Sequence, residues 1–157
     1  MKIQFLPLVL IFIINWSISN AQIFVDSSAI GANNGMTWVD AFNDLQDALS
    51  NAEENDTIWI AKGTYFPDSV NGASTSTFMI NTNLVLLGGF NSVNGEQNPN
   101  MYKTILSGDL NENDIVNEFE NNKADNVSTI VTINSNITNA TIFEGLIFSN
   151  GHANGNQ

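Results

Sequence analysis

Apolar residues along this chain follow three patterns, and each predicts a different kind of element. Phe5 to Ile14 is an apolar run of ten residues. Further on, Trp38, Phe42, Leu45, Leu49 and Ala52 are spaced by four, three, four and three positions, which puts them on one face of a helix. Thr37 stands before that stretch and Asp40 three positions later, a capping-box variant with Asp in place of Glu. Asp40, Asp44 and Asp47 fall on the polar side, and the helix is expected to end between Ala52 and Asn55. Beyond it the apolar residues come in short runs separated by Gly and Asn. These predict strands at Thr57–Ala61, Phe78–Ile80, Leu84–Leu87, Thr104–Leu106, Thr129–Ile133 and Thr141–Phe148, with a first short run at Ile23–Val25.

Several runs share a shape, an apolar stretch closed by Gly or a small residue. Ile58-Trp59-Ile60-Ala61-Lys62-Gly63 returns as Leu84-Val85-Leu86-Leu87-Gly88-Gly89 and then as Thr104-Ile105-Leu106-Ser107-Gly108-Asp109. Leu146-Ile147-Phe148-Ser149-Asn150-Gly151 repeats the form. Degenerate repeats at such intervals mark solenoids, and no helices separate the runs, which argues against a doubly wound sheet. The expected fold is all-β, a right-handed parallel β-helix whose N-terminal amphipathic helix caps the first coil. An antiparallel sandwich is the alternative, and repeats of this kind do not belong to it.

Charge changes the picture of partners. The 157 residues carry 16 acids against 4 lysines and no arginine, a net charge of −12. Nucleic acid is therefore excluded as an expected partner, since phosphate binding needs clustered cations. The chain has no cysteine, which removes disulfide scaffolds and thiolate chemistry. It has 26 asparagines, a residue that tolerates left-handed turns. Lys2, the run Phe5–Ile14 and Ser19-Asn20-Ala21 match the three regions of a secretory signal. The run is too short for a membrane span of ~20 apolar residues. Residues 1–21 are read as the signal and 22–157 as the exported portion, starting at Gln22. Removal of Lys2 leaves three lysines against 16 acids, a net charge of −13.

A longer set of residues resembles a known family. It comprises Ile23-Phe24-Val25-Asp26, Gly31-Ala32-Asn33-Asn34-Gly35-Met36-Thr37-Trp38, Ala41-Phe42 and Asp44-Leu45-Gln46-Asp47-Ala48-Leu49. Asp56-Thr57-Ile58-Trp59-Ile60-Ala61-Lys62-Gly63-Thr64-Tyr65, Gly88-Gly89-Phe90 and Ile105-Leu106-Ser107-Gly108-Asp109-Leu110 continue it. In order, from residue 23 to 151, these resemble the N-terminal region of secreted right-handed parallel β-helix proteins of Gram-negative bacteria. Those are related to pectin-lyase-like folds and polymorphic outer-membrane proteins. The resemblance implies export to the cell surface, at the outer membrane, or into the medium, and often an adhesin-like role. Residues 151–157 read as the approach to another coil, so 22–157 is expected to be the cap and first coils of a longer protein.

Candidate chemistry is sparse. A polysaccharide lyase needs a cationic base. Lys62, Lys103 and Lys123 read more simply as solvated turn or edge residues, and His152 as a turn residue without a partner. The segment Asp109 to Glu120 places oxygen ligands in an EF-hand-like spacing. Asp109, Asn111, Asn113 and Glu120 are thus the candidate ligands of a Ca²⁺ ion, although Asp114 stands where such a loop needs Gly. Asp56-Thr57-Ile58 and Asp68-Ser69-Val70 resemble an O-glycosylation signal of some Gram-negative exported proteins. The functional expectation is a secreted or cell-surface module without catalysis, acting in adhesion or carbohydrate contact. Its partners would be a carbohydrate or cell-surface ligand and further coils of its own chain. The alternative is the first part of a polysaccharide lyase or hydrolase whose active site lies in later coils.

Overall fold

The computed structural model describes residues 20–115, 117–118, 121–135, 137 and 141–153. The signal-like segment up to Ser19 lies outside the described residues. In chain order the elements are β1 (Gln22–Val25), α1 (Leu45–Asn51), β2 (Thr57–Ala61), β3 (Gly63–Tyr65), β4 (Phe78–Ile80) and β5 (Val85–Phe90). They continue with β6 (Thr104–Ser107), β7 (Val131–Ile133), β8 (Ile142–Glu144) and β9 (Leu146–Ser149). All strand pairs are parallel and build three small sheets, β1-β2-β5-β8, β3-β6-β9 and β4-β7.

This corrects the expected fold class. The described residues form short parallel sheets of four, three and two strands with one helix, and no closed solenoid is present among them. The spacing of paired strands differs between the sheets. Gln22 pairs with Thr57, Thr57 with Val85 and Val85 with Ile142. The step between neighbouring strands shortens once and then lengthens greatly in this sheet, whereas in the second sheet, where Gly63 pairs with Thr104 and Thr104 with Leu146, it is nearly constant. The matching motifs that begin at Leu84 and Thr104 belong to different sheets, since Leu86 lies in β5 and Ile105 in β6. The motifs that begin at Ile58 and Leu84 do share one sheet, yet Ile58 pairs with Leu86 and not with Leu84. A shift of two positions keeps each side chain on its own face, so for this pair motif alignment found the right faces and the wrong register; the motifs that begin at Thr104 and Leu146 pair position by position as aligned.

Alternation along the strands sets the core. In the first sheet Ile23, Ile58, Leu86 and Phe143 align across four strands, and Val25 aligns with Ile60. Val25, Ile58 and Ile60 are fully buried, as are Leu106 of β6 and Leu45 and Ala48 of α1. Phe78 and Ile80 of β4 join them. The helix packs on β4 and β1, and its Gln46 Oε1 accepts the amide of Met79 at 3.3 Å. It starts later than expected. Asp44 is its N-cap, accepting from the amide of Gln46. Thr37 and Asp40 do bond as a capping pair, at 3.1 Å in both directions, but they close a loop.

The long run Thr141–Phe148 divides at Gly145, whose φ is +68°. A Cβ there would come within 2.7 Å of the Gly88 carbonyl oxygen, so only glycine allows the two backbones this close. Asparagine does the corresponding work elsewhere. Among the described residues, six of the seven non-glycine residues with positive φ are Asn; the seventh is Glu112. β3 had no counterpart in the sequence reading, because Gly63-Thr64-Tyr65 is too short to show alternation.

Candidate functional site: a shallow acidic groove

β3 ends at Tyr65, whose side chain turns into the core and donates its hydroxyl to the carbonyl of Ala61 at 3.1 Å. Burial pushes that hydroxyl far above its ordinary pKa, so it stays protonated. The chain then leaves the sheet through Phe66, Pro67 and Asp68 beside the start of α1. Between them lies a cavity of about 370 Å³ lined by Ser27, Asn43, Asp44, Thr64, Tyr65, Phe66, Asp68 and Ser69. A second cavity of about 220 Å³ runs over β6 and β9, lined by Ile105, Ser107, Asp109, Glu112, Ser149 and Asn150. Thr64 and Phe66 line both, so the two recesses meet as one shallow groove.

Local structure fixes the polar groups. Asn43 donates from Nδ2 to the carbonyls of Asp26 and Ala29. Asp68 organises its own loop: Oδ1 accepts from the amide and hydroxyl of Ser69, and Oδ2 from the amide of Ala73 and the hydroxyl of Ser76. Those bonds, led by Ser76, hold the Asp68 carboxyl below its usual pKa. Asp44 moves the other way. Burial raises it and the Gln46 amide lowers it, while the charges of Asp47 and Asp68 add to the rise.

Two carboxylates shifted apart in one cavity is the pattern of an acid and a base. Both carboxylates also carry local structure here. A carboxylate has about four acceptor sites, and Asp68 gives four to its own loop. Those bonds tie it to the loop, as the Gln46 amide ties Asp44 to the first turn of α1. The groove can bind, through hydroxyl, amide and carboxylate groups around the half-buried ring of Phe66.

Of the candidate calcium ligands, Asp109, Asn111 and Asn113 fall among the described residues. Asp109 is buried, and its two oxygens accept from the amides of Asn113 and Asp114 at 3.2 and 2.9 Å. Asn111 accepts from the amide of Asn71 at 2.9 Å. Asn113 is exposed, and its carbonyl accepts from Asn122. Glu120 lies outside the described residues. Among the described residues no group of three or more His, Asp or Glu side chains is placed to hold a metal ion. Asp114, the residue that breaks the loop pattern, pairs instead with Lys123 and Asn126.

Lys62 is exposed and lies near enough to Asp26 to favour its charge. Lys103 is exposed, and its carbonyl accepts from Gly63. His152 is half-buried and donates its amide to Val127. Trp38, expected on the buried helix face, packs on the outside of the first sheet instead. Its ring centroid is 4.8 Å from Phe24 and 5.6 Å from Phe90, and Trp59 stacks on Phe90 at 4.5 Å. Of the glycosylation-like sites, Ser69 is exposed and Thr57 is built into β2.

The sequence reading missed the groove as a unit. Asp44 counted only as the polar face of a helix and Asp68 only as part of a short pattern. Two strands and a helix separate them along the chain, and nothing local shows that they share a cavity. Comparison with known protein families, with curated proteins and with solved structures finds no match to this chain. No helix among the described residues is long and apolar enough to cross a membrane.

Proposed function

We propose that this chain is a non-catalytic module of an exported protein, at the cell surface or released from it, and that it contacts carbohydrate through the groove. The observation that carries this reading is the lining. Hydroxyl, amide and carboxylate side chains lie around the rings of Phe66 and Tyr65 in a recess of about 370 Å³. Sugars present hydroxyls to polar groups and apolar C–H faces to rings, and ~300 Å³ is the lower end of the range of ligand pockets. Asp68, its acceptors occupied by its own loop, speaks for binding without turnover. Export is supported by the three-part pattern of residues 1–21 and by the resemblance to exported proteins of Gram-negative bacteria.

The test of contact is a glycan array probed with the full chain, followed by titration of the best ligand. Binding to a defined glycan class, weakened by Phe66→Ala, is the expected result. An array with no ligand rejects the reading. Release of reducing ends from a bound glycan would reject its non-catalytic part. For export, N-terminal sequencing of the secreted product should begin at Gln22.

A further inference from the structure

We propose that Asp56 receives the amino terminus created when the signal is removed, so that the α-ammonium of Gln22 takes over a buried carboxylate from the amide of Ala21. This rests on the export reading and says what the cut end does in the fold. Asp56 stands between α1 and β2 and is 4% exposed. Its Oδ2 accepts from the amide of Glu53 at 2.8 Å, within its own turn. Its Oδ1 accepts from the amide of Ala21 at 2.7 Å, across 35 positions of the chain. The Ala21 carbonyl in turn accepts from the amide of Thr57 at 2.9 Å. The residue read as the last of the signal is therefore tied into the sheet.

Cleavage after Ala21 takes both of these groups away. Water adds to the Ala21 carbonyl carbon and the bond to the Gln22 nitrogen breaks. Ala21 leaves as a carboxylate with the signal, and Gln22 keeps its nitrogen as an ammonium. A buried carboxylate left without a donor is costly, and the new donor is at hand. Gln22 and Asp56 line one cavity of about 290 Å³. Glu53 and Asp56 are the titratable residues among those that line it, and none of the lining residues is basic. No lysine of the cavity wall therefore competes for the carboxylate. The exported portion has three lysines and no arginine against 16 acids, so the α-ammonium is one of its few cations. An ammonium also adds charge attraction to the hydrogen bond that a neutral amide supplied.

The experiment uses the secreted chain that begins at Gln22. Glutaminyl cyclase closes Gln22 to its lactam with loss of ammonia, which keeps an N–H and removes the charge. Cyclisation should lower the thermal midpoint of the wild-type chain by at least about 3 °C. In Asp56→Asn it should shift the midpoint by less than about 1 °C, because the partner charge is already gone. Asparagine keeps an oxygen for the Glu53 amide, so the turn is retained. A second measurement needs no variant. In the wild-type chain the α-amine should titrate above its ordinary range of about 7.7–8.0, read by NMR of the labelled Gln22 nitrogen.

The same cost of cyclisation in both chains overturns the inference, because Asp56 is then not the partner. An α-amine that titrates in the ordinary range overturns it as well, and decides the matter where the variant does not fold. A secreted chain that retains Ala21 also overturns it, while export stands. A chain that is not secreted at all removes the export reading, and this inference falls with it.

Discussion

The two ends of the sheet stack are finished in different ways. At the first end, the loop before α1 lies along β1. Phe24 donates its amide to Gly35, Phe42 donates to Phe24, and Asp26 donates to Phe42, each at 2.9 Å. Phe42 drops into the core, 9% exposed. Gly35 has a φ of +72°, and a Cβ there would meet the Phe42 ring at 2.6 Å. The helix closes β4 through Gln46. At the last end, no described strand pairs with the far edges of β7, β8 and β9. Ile142, Ile147 and Phe148 are 50%, 39% and 46% exposed there. The same apolar residue types stabilise one end and burden the other, and backbone coverage makes the difference.

The largest test sets Phe42→Ala against Phe148→Ala. The first should cost about 3–5 kcal/mol, as is usual when a buried aromatic site is emptied. The second should stay within about 1 kcal/mol, as for a half-exposed position. Denaturant midpoints with unchanged slopes give both numbers. Equal costs would mean that the first end is no better packed than the last.

Next comes Asp26, buried beside β1, whose Oδ1 accepts from the amide and hydroxyl of Ser28 at 2.9 and 2.7 Å. Burial works against its charge, but hydrogen bonds from Ser92 and Ser28 outweigh it, and its pKa sits below 3.8. Its stabilisation is therefore complete above the unfolded value and lost as pH falls through the lowered one. Asp26→Ala should cost about 1–3 kcal/mol at pH 7. Melts repeated down to pH 2 should show the difference closing only below 3.8. A cost that is constant with pH would assign the effect to packing.

At the open end, Ile142→Lys should change stability by less than about 1 kcal/mol while suppressing self-association, because an edge lysine blocks strand pairing. Light scattering at matched concentration is the readout. A wild-type chain that is already monodisperse would remove the proposed liability of this edge.

The smallest effect belongs to Asp44→Asn. Burial raises the pKa of Asp44 above 3.8 in the folded state, so its ionised form is the less favoured one. The penalty is full at neutral pH and vanishes as pH falls below the unfolded value. Solvent screening at this exposed cap keeps the gain to a few tenths of a kcal/mol. Thermal melts at pH 7 and pH 3 should show a small gain that disappears. Destabilisation at pH 7 would mean that the cap needs its charge.

What the sequence by itself determined was local. Period-two runs placed β2 and β4 to the residue, and the Asn and Gly positions marked the turns, because side-chain alternation and left-handed backbone are properties of short segments. The apolar spacing around Leu45 and Leu49 found the helix. It also drew in Trp38 and Phe42, which keep the spacing but belong to a loop, since a staggered apolar pattern serves a covering loop as well as a helix. Tertiary structure decided the rest. It paired Ile58 with Leu86 in place of Leu84, and it set the strands into three parallel sheets of four, three and two strands. It gave Asp44, not Thr37, the helix cap. It brought Asp44, Asp68, Phe66 and Glu112 to one groove and turned the oxygens of Asp109 onto neighbouring amides. Those outcomes depend on which backbone groups find partners once the chain is compact, and no run of adjacent residues carries that information.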